Sequence, residues 1–141
     1  MMSAAAAAMS SPAGRSAAAK DVRVLVVDDD YRVAKIHAAY VDRTAGFTVC
    51  GQAHSAAQAL DLVAALRPDL VLMDVNLPGI NGLDATRQIL GESDTVVVLL
   101  LSTYEEAEYA PRAAECGASA YIPKSSFGPD RLEEAWESAS A

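Results

Sequence analysis

From Asp21 onward, short β-branched apolar runs alternate with longer stretches whose apolar residues recur at helical spacing, the pattern of βαβ units. Val22 to Val27 is almost continuously apolar, as in a strand covered by helices on both faces. Asp30 is placed to cap the helix that follows, with Val33, Ile36, Tyr40 and Val41 on one face and Gly46 at its end. Phe47 to Ala53 reads as a second strand. Ala56, Ala59, Leu60 and Val63 then form the inner stripe of a helix that stops before Arg67-Pro68, because the residue ahead of a proline is biased away from the helical conformation. Asp69 to Met73 is the third strand. A loop with Pro78, Gly79, Asn81 and Gly82 leads to a third helix through Leu83 and Ile89, closed by Gly91. Thr95 to Leu101 is a fourth strand at the centre of the core. The fourth helix covers about 105–116, and Pro111, which lacks a backbone donor, either kinks it or marks its start. Ala118 to Ile122 is the last strand, and Leu132, Ala135, Trp136 and Ala139 set the face of a closing helix.

Five such units predict an α/β fold: a doubly wound (βα)5 five-stranded parallel sheet. Right-handed crossovers leave few arrangements, and the flavodoxin-like order 2-1-3-4-5 is expected. The chain of 141 residues has room for one domain, over 21–141. Residues 1–20 are almost entirely small or polar and read as a disordered Ala/Ser-rich tail. They lack the basic start and large apolar segment of a signal peptide.

Charge and thiols narrow the function classes. A net charge of −8 without a basic patch argues against direct nucleic-acid binding. The longest uncharged apolar run, 95–104, is about half the ~20 residues that cross a bilayer, so a cytoplasmic protein with no membrane partner is expected. Cys50 and Cys116 have no ligand spacing and read as reduced thiols.

Ligands of open α/β sheets sit beyond the carboxyl ends of the strands. The residues arriving there are Asp28-Asp29-Asp30, Asp74, Ser102-Thr103 and Tyr121-Ile122-Pro123-Lys124. Converging carboxylates repel, and a hard divalent cation such as Mg²⁺ or Mn²⁺ relieves them. A carboxylate beside such a cation, flanked by a hydroxyl and an ammonium, has the parts for accepting a phosphoryl group. Taken singly, Asp30 is a helix cap, Asp74 a loop residue, Ser102 a cap and Lys124 a solvated cation. Their joint placement is what points to chemistry. His37 and His54 read as surface or packing residues, and Trp136 as core.

The segments Val24-Leu-Val-Val-Asp28-Asp29-Asp30, Pro68-Asp-Leu-Val-Leu-Met-Asp74-Val-Asn-Leu-Pro78-Gly-Ile-Asn-Gly82, Ser102 and Gly117-Ala-Ser-Ala-Tyr121-Ile-Pro-Lys124 resemble the receiver domains of two-component response regulators. The resemblance runs over about 21–139. It implies that Asp74 is the phosphoacceptor, with Asp29, Asp74 and the Asn76 backbone carbonyl as metal ligands and Asp28 acting through a water. Lys124 and Ser102 would hold phosphoryl oxygens, and Tyr121 would turn between outward and buried rotamers as the readout. A histidine kinase or His-phosphotransfer protein would be the donor and an unknown downstream protein the target. The only catalysis implied is the domain's own phosphorylation and slow dephosphorylation. The stretch from Asp28 to Asp74 looks like receivers of citrate/malate-type regulators, and the domain is here expected to stand alone. Many receivers carry proline after the conserved lysine; Pro123 precedes Lys124 here, and no cis bond is expected. A haloacid-dehalogenase-like phosphatase would need an acid where Asn76 stands. A phosphorylation-independent binding module of this fold would have lost acids that this chain retains. Dinucleotide binding lacks its G-x-G-x-x-G.

Overall fold

The structure is a computed structural model that describes residues 20–103 and 106–140. The expected tail, apart from Lys20, lies outside the described residues. The strands are β1 (Val22–Val27), β2 (Phe47–Ala53), β3 (Leu70–Asp74), β4 (Val97–Ser102) and β5 (Ala120–Pro123). They alternate with helices α1 (Tyr31–Asp42), α2 (Ala56–Leu66), α3 (Gly82–Glu92), α4 (Glu106–Cys116) and α5 (Pro129–Ser140), with a 3₁₀ turn at Lys124–Ser126. The sheet is parallel throughout and ordered β2-β1-β3-β4-β5, as expected from the sequence.

The pleat sends alternate side chains to two cores. Leu25, Val27, Val71, Met73, Val98, Leu100 and Tyr121 meet the inner residues of α2, α3 and α4, among them Ala59, Ile89 and Ala113. On the other face Val24, Val26, Leu70, Leu72, Leu99, Leu101 and Ile122 meet Ala34, Ala38 and Val41 of α1 and Leu132 and Ala135 of α5. Both faces of the sheet's centre are therefore dry, which is why β3, β4 and most of β1 read as apolar runs, while the edge strand β2 is partly exposed.

Three local expectations are corrected. The buried face of α1 is Ala34, His37, Ala38 and Val41, whereas Ile36 is 51% exposed. Small alanines let the helix lie close on the sheet, and His37 fills the space toward Phe127, ring edge to face at 5.1 Å. Gly91 lies within α3, which ends at Glu92 with Ser93 as its cap. Helix α4 begins ahead of Pro111 and contains it, so the proline does not mark its start. No peptide bond among the described residues is cis.

Chain entry into the helices follows side-chain chemistry. The Asp30 carboxylate accepts the Arg32 and Val33 N–H groups, which hold its pKa below the usual carboxylate value. Ser55 and Asn81 cap α2 and α3 in the same way. At the far end of α2, Arg67 turns left-handed at φ 49° and the Arg23 guanidinium donates to the Leu66 and Arg67 carbonyls at 2.6 and 3.0 Å.

Candidate functional site

Strand register alone brings the polar residues together. Val27 pairs with Met73, so the residues that follow them, Asp28 and Asp74, emerge side by side. Asp74 pairs with Leu101, which places Ser102 next along that edge. Ser102 pairs with Pro123, which is followed by Lys124. Four strands thus deliver two acids, a hydroxyl and an ammonium to the carboxyl edge of the sheet.

The Lys124 ammonium sits between the two buried acids, 2.9 Å from Asp28 Oδ2 and 3.3 Å from Asp74 Oδ1. Asp28 and Asp74 are each 2% exposed at the side chain and Lys124 18%. Burial, and then the neighbouring Asp28 charge, push the Asp74 carboxyl up to about 6, against the opposing pull of Lys124. Burial also opposes the charge on Lys124, but the Asp28 and Asp74 carboxylates outweigh it and hold the ammonium above its ordinary value. One cation therefore serves two acids and leaves a local excess of negative charge.

Asp29, exposed at the rim, completes the acidic group. Carboxylate oxygens of Asp28, Asp29 and Asp74 all lie within 4.8 Å of one another. Asp28 Oδ1 accepts the Asp30 N–H at 2.9 Å, while buried Oδ2 faces the ammonium without a well-directed hydrogen bond. An oxygen-only donor set with surplus negative charge and an under-satisfied buried oxygen fits a hard divalent cation such as Mg²⁺.

The loop after β3 is held tightly against the acid. The Asn76 N–H donates to Asp74 Oδ1 at 3.1 Å, and the Gly82 N–H donates to the Val75 carbonyl at 2.8 Å. Asn76 itself is exposed at the mouth of the site. A methyl group on Gly82 would collide with the Asp74 main-chain carbonyl and come within 2.8 Å of the Val75 Cα. Since backbone rather than a flexible side chain is in the way, Gly82→Ala is expected to destabilise the protein by about 1–3 kcal/mol in chemical denaturation.

Ser102 is fully buried at the end of β4, and Tyr121 is buried, 4% exposed, in the core beneath α4. Among the residues expected from sequence, the structure gathers Asp28, Asp29, Asp74 and Lys124 into direct proximity, with Asn76 beside Asp74 and Ser102 on the neighbouring strand. One contributor lay outside the sequence expectations. His54 was read as a surface or packing residue, yet its Nδ1 lies 2.9 Å from the Asp28 main-chain oxygen. The available signal was its position, one residue past β2 and beside the acidic loop. Gly82, by contrast, closes a segment that carries the family resemblance, and the approach of the Asp74 carbonyl explains the glycine there.

Comparison with known proteins decides the family: the model of the response regulator receiver domain matches residues 24–137. The chain belongs to that family. This receiver is 39% identical over 103 residues to the response regulator GacA of Pseudomonas viridiflava, covering 73% of this chain and 48% of that one. It spans half or less of the length of the first curated relatives it matches. A LuxR-family two-component response regulator from an Aurantimonas species superposes with a TM-score of 0.76 at 33% identity, over 84% of each chain. A Burkholderia pseudomallei response regulator, crystallised with a phosphorylated aspartic acid, a calcium ion and citrate, superposes with a TM-score of 0.74 at 27% identity, over 85% of this receiver and 69% of that chain. As expected of this fold, no helix among the described residues is long and apolar enough to cross a membrane.

Proposed function

We propose that this receiver accepts a phosphoryl group on Asp74 from a phosphohistidine of a histidine kinase or His-phosphotransfer protein and passes the signal on through protein–protein contacts. The observation that carries the reading is the convergence of Asp28, Asp29 and Asp74 within 4.8 Å around the Lys124 ammonium. An Asp74 carboxylate oxygen attacks phosphorus. The new acyl-phosphate P–O bond forms as the donor P–N bond breaks, and the departing imidazole keeps the electron pair and takes a proton from solvent. Asp74 is held ionised for this by Lys124 and by the Asn76 N–H. Lys124, 3.3 Å from Asp74, would pair with an oxygen of the transferred group, and Ser102, at the end of the neighbouring strand, would donate its hydroxyl to another. Asp29, Asp74 and the Asn76 carbonyl would hold Mg²⁺ or Mn²⁺ directly, with Asp28 acting through water. When bound, the cation neutralises the charge on the phosphoryl oxygens.

The burial of Tyr121 next to the end of β4 supports its role as the readout. Its ring packs in the core cluster that holds Ala113 and Cys116 of α4. A cytoplasmic location fits the free thiols of Cys50 and Cys116. The receiver itself turns over no external substrate.

Incubation with acetyl phosphate and Mg²⁺ tests the reading by intact mass. One phosphoryl mass should be gained with Mg²⁺, lost on mild base, and absent when a chelator replaces the cation. Gain that ignores the chelator would contradict the metal-dependent chemistry.

A further inference from the structure

The acidic loop after β1 is held from the side by the end of β2. The Asp28 N–H donates to the Ala53 carbonyl at 3.0 Å, and the Asp28 carbonyl lies 2.9 Å from His54 Nδ1. A carbonyl oxygen can only accept, so the imidazole proton in this contact is on Nδ1. Asp28 is therefore pinned at both of its backbone polar groups by consecutive residues of one neighbouring segment. That segment is itself fixed, since the His54 N–H donates to Gln58 Oε1 at 2.8 Å.

The other side of the imidazole is covered. Tyr31, the first residue of α1, is 66% exposed, yet its ring stacks on His54 at 3.7 Å between centroids with 17° between the planes. The stack links the start of α1 to the end of β2 across the loop that carries Asp28 and Asp29. Packing alone gives no reason for an aromatic ring to sit in solvent over a histidine. The stack fixes the orientation of the imidazole ring whose Nδ1 meets the Asp28 carbonyl.

We propose that His54 is a positioning residue for the cation site, clamping the Asp28 carbonyl so that the Asp28 and Asp29 carboxylates stay aimed at Asp74, with Tyr31 as its cover. This rests on the metal-binding reading of the acidic cluster. Groups that orient ligands from behind typically change metal affinity by about 10-fold or more when removed. His54 acts on the main chain of the acid loop, so its removal loosens two carboxylates at once.

The test is Mg²⁺ affinity by isothermal titration calorimetry, with no phosphodonor present. His54→Phe keeps a ring to stack on Tyr31 and removes the donor. His54→Asn keeps an amide donor near the Nδ1 position and removes the ring. The expected result is an increase of about 10-fold in the Mg²⁺ dissociation constant for His54→Phe and recovery to within about 3-fold of the parent for His54→Asn. Unfolding midpoints of the metal-free proteins should differ little between the two variants. Equal affinity of the parent and His54→Phe would overturn the inference, as would equal weakening in both variants, which would mark a merely structural role. If His54→Phe does not fold, His54→Ala takes its place beside His54→Asn with the same expected ordering. Failure of the parent itself to bind Mg²⁺ would instead overturn the metal reading underneath.

Discussion

Lys124→Met is expected to lower the stability of the metal-free receiver at pH 8 by about 3 kcal/mol, because removing one partner of a buried ion pair leaves its charge uncompensated. Here two buried acids, Asp28 and Asp74, lose their shared cation at 2.9 and 3.3 Å. The loss should shrink as pH falls toward 5, where Asp74 takes up a proton and one of the two charges disappears. Saturating Mg²⁺ should also recover much of it, since a cation that binds only the folded state stabilises that state and supplies the missing positive charge. Urea denaturation of parent and variant at pH 5 and pH 8, each with Mg²⁺ and with chelator, reads all four conditions. A deficit that is indifferent to both pH and Mg²⁺ would show that Lys124 contributes packing rather than charge.

Asp74→Asn should shift stability the opposite way. The folded-state value of Asp74 is raised from 3.8 to about 6, chiefly by burial and then by Asp28. For a carboxyl raised in the folded state, folding favours the protonated form. The associated stability is fully present below the unfolded-state value and is lost as pH rises through the folded-state value. The parent therefore loses on the order of 2 kcal/mol relative to Asp74→Asn between about pH 4 and pH 7, in the absence of Mg²⁺. The asparagine variant should unfold at higher urea than the parent at neutral pH, and the gap should close in acid. A variant less stable than the parent at pH 7 without metal would contradict the strained, repulsive site described here. The stability given up at Asp74 is characteristic of a site that stores charge for a ligand.

The sheet and the site were largely legible in the sequence for one physical reason. A strand dry on both faces must be almost wholly apolar, so the first carboxylates after Val27 and Met73 mark strand ends, and parallel pairing brings those ends to one edge. That is why Asp28, Asp74 and Lys124 could be grouped before any distance was known. The face of α1 was less legible, because the periodic search favours large side chains. The contact surface is made by Ala34 and Ala38, which permit close approach, while Ile36 points outward. The support from His54 depends on a ring-to-carbonyl contact across 26 positions of sequence, which no local pattern encodes. Gly82 matters through the proximity of the Asp74 carbonyl and not through its own turn.

The decisive property of the site is which side chain carries the phosphoryl group. Parent and Asp74→Asn proteins, both shown folded by circular dichroism, are incubated side by side with acetyl phosphate and Mg²⁺, quenched in acid and measured by intact mass. The predicted result is one base-labile phosphoryl addition on the parent and none on the variant. A cognate histidine kinase as donor should give the same pattern. Equal addition to the two proteins would contradict Asp74 as the acceptor, and no addition to the parent from either donor would contradict the phosphoryl chemistry itself.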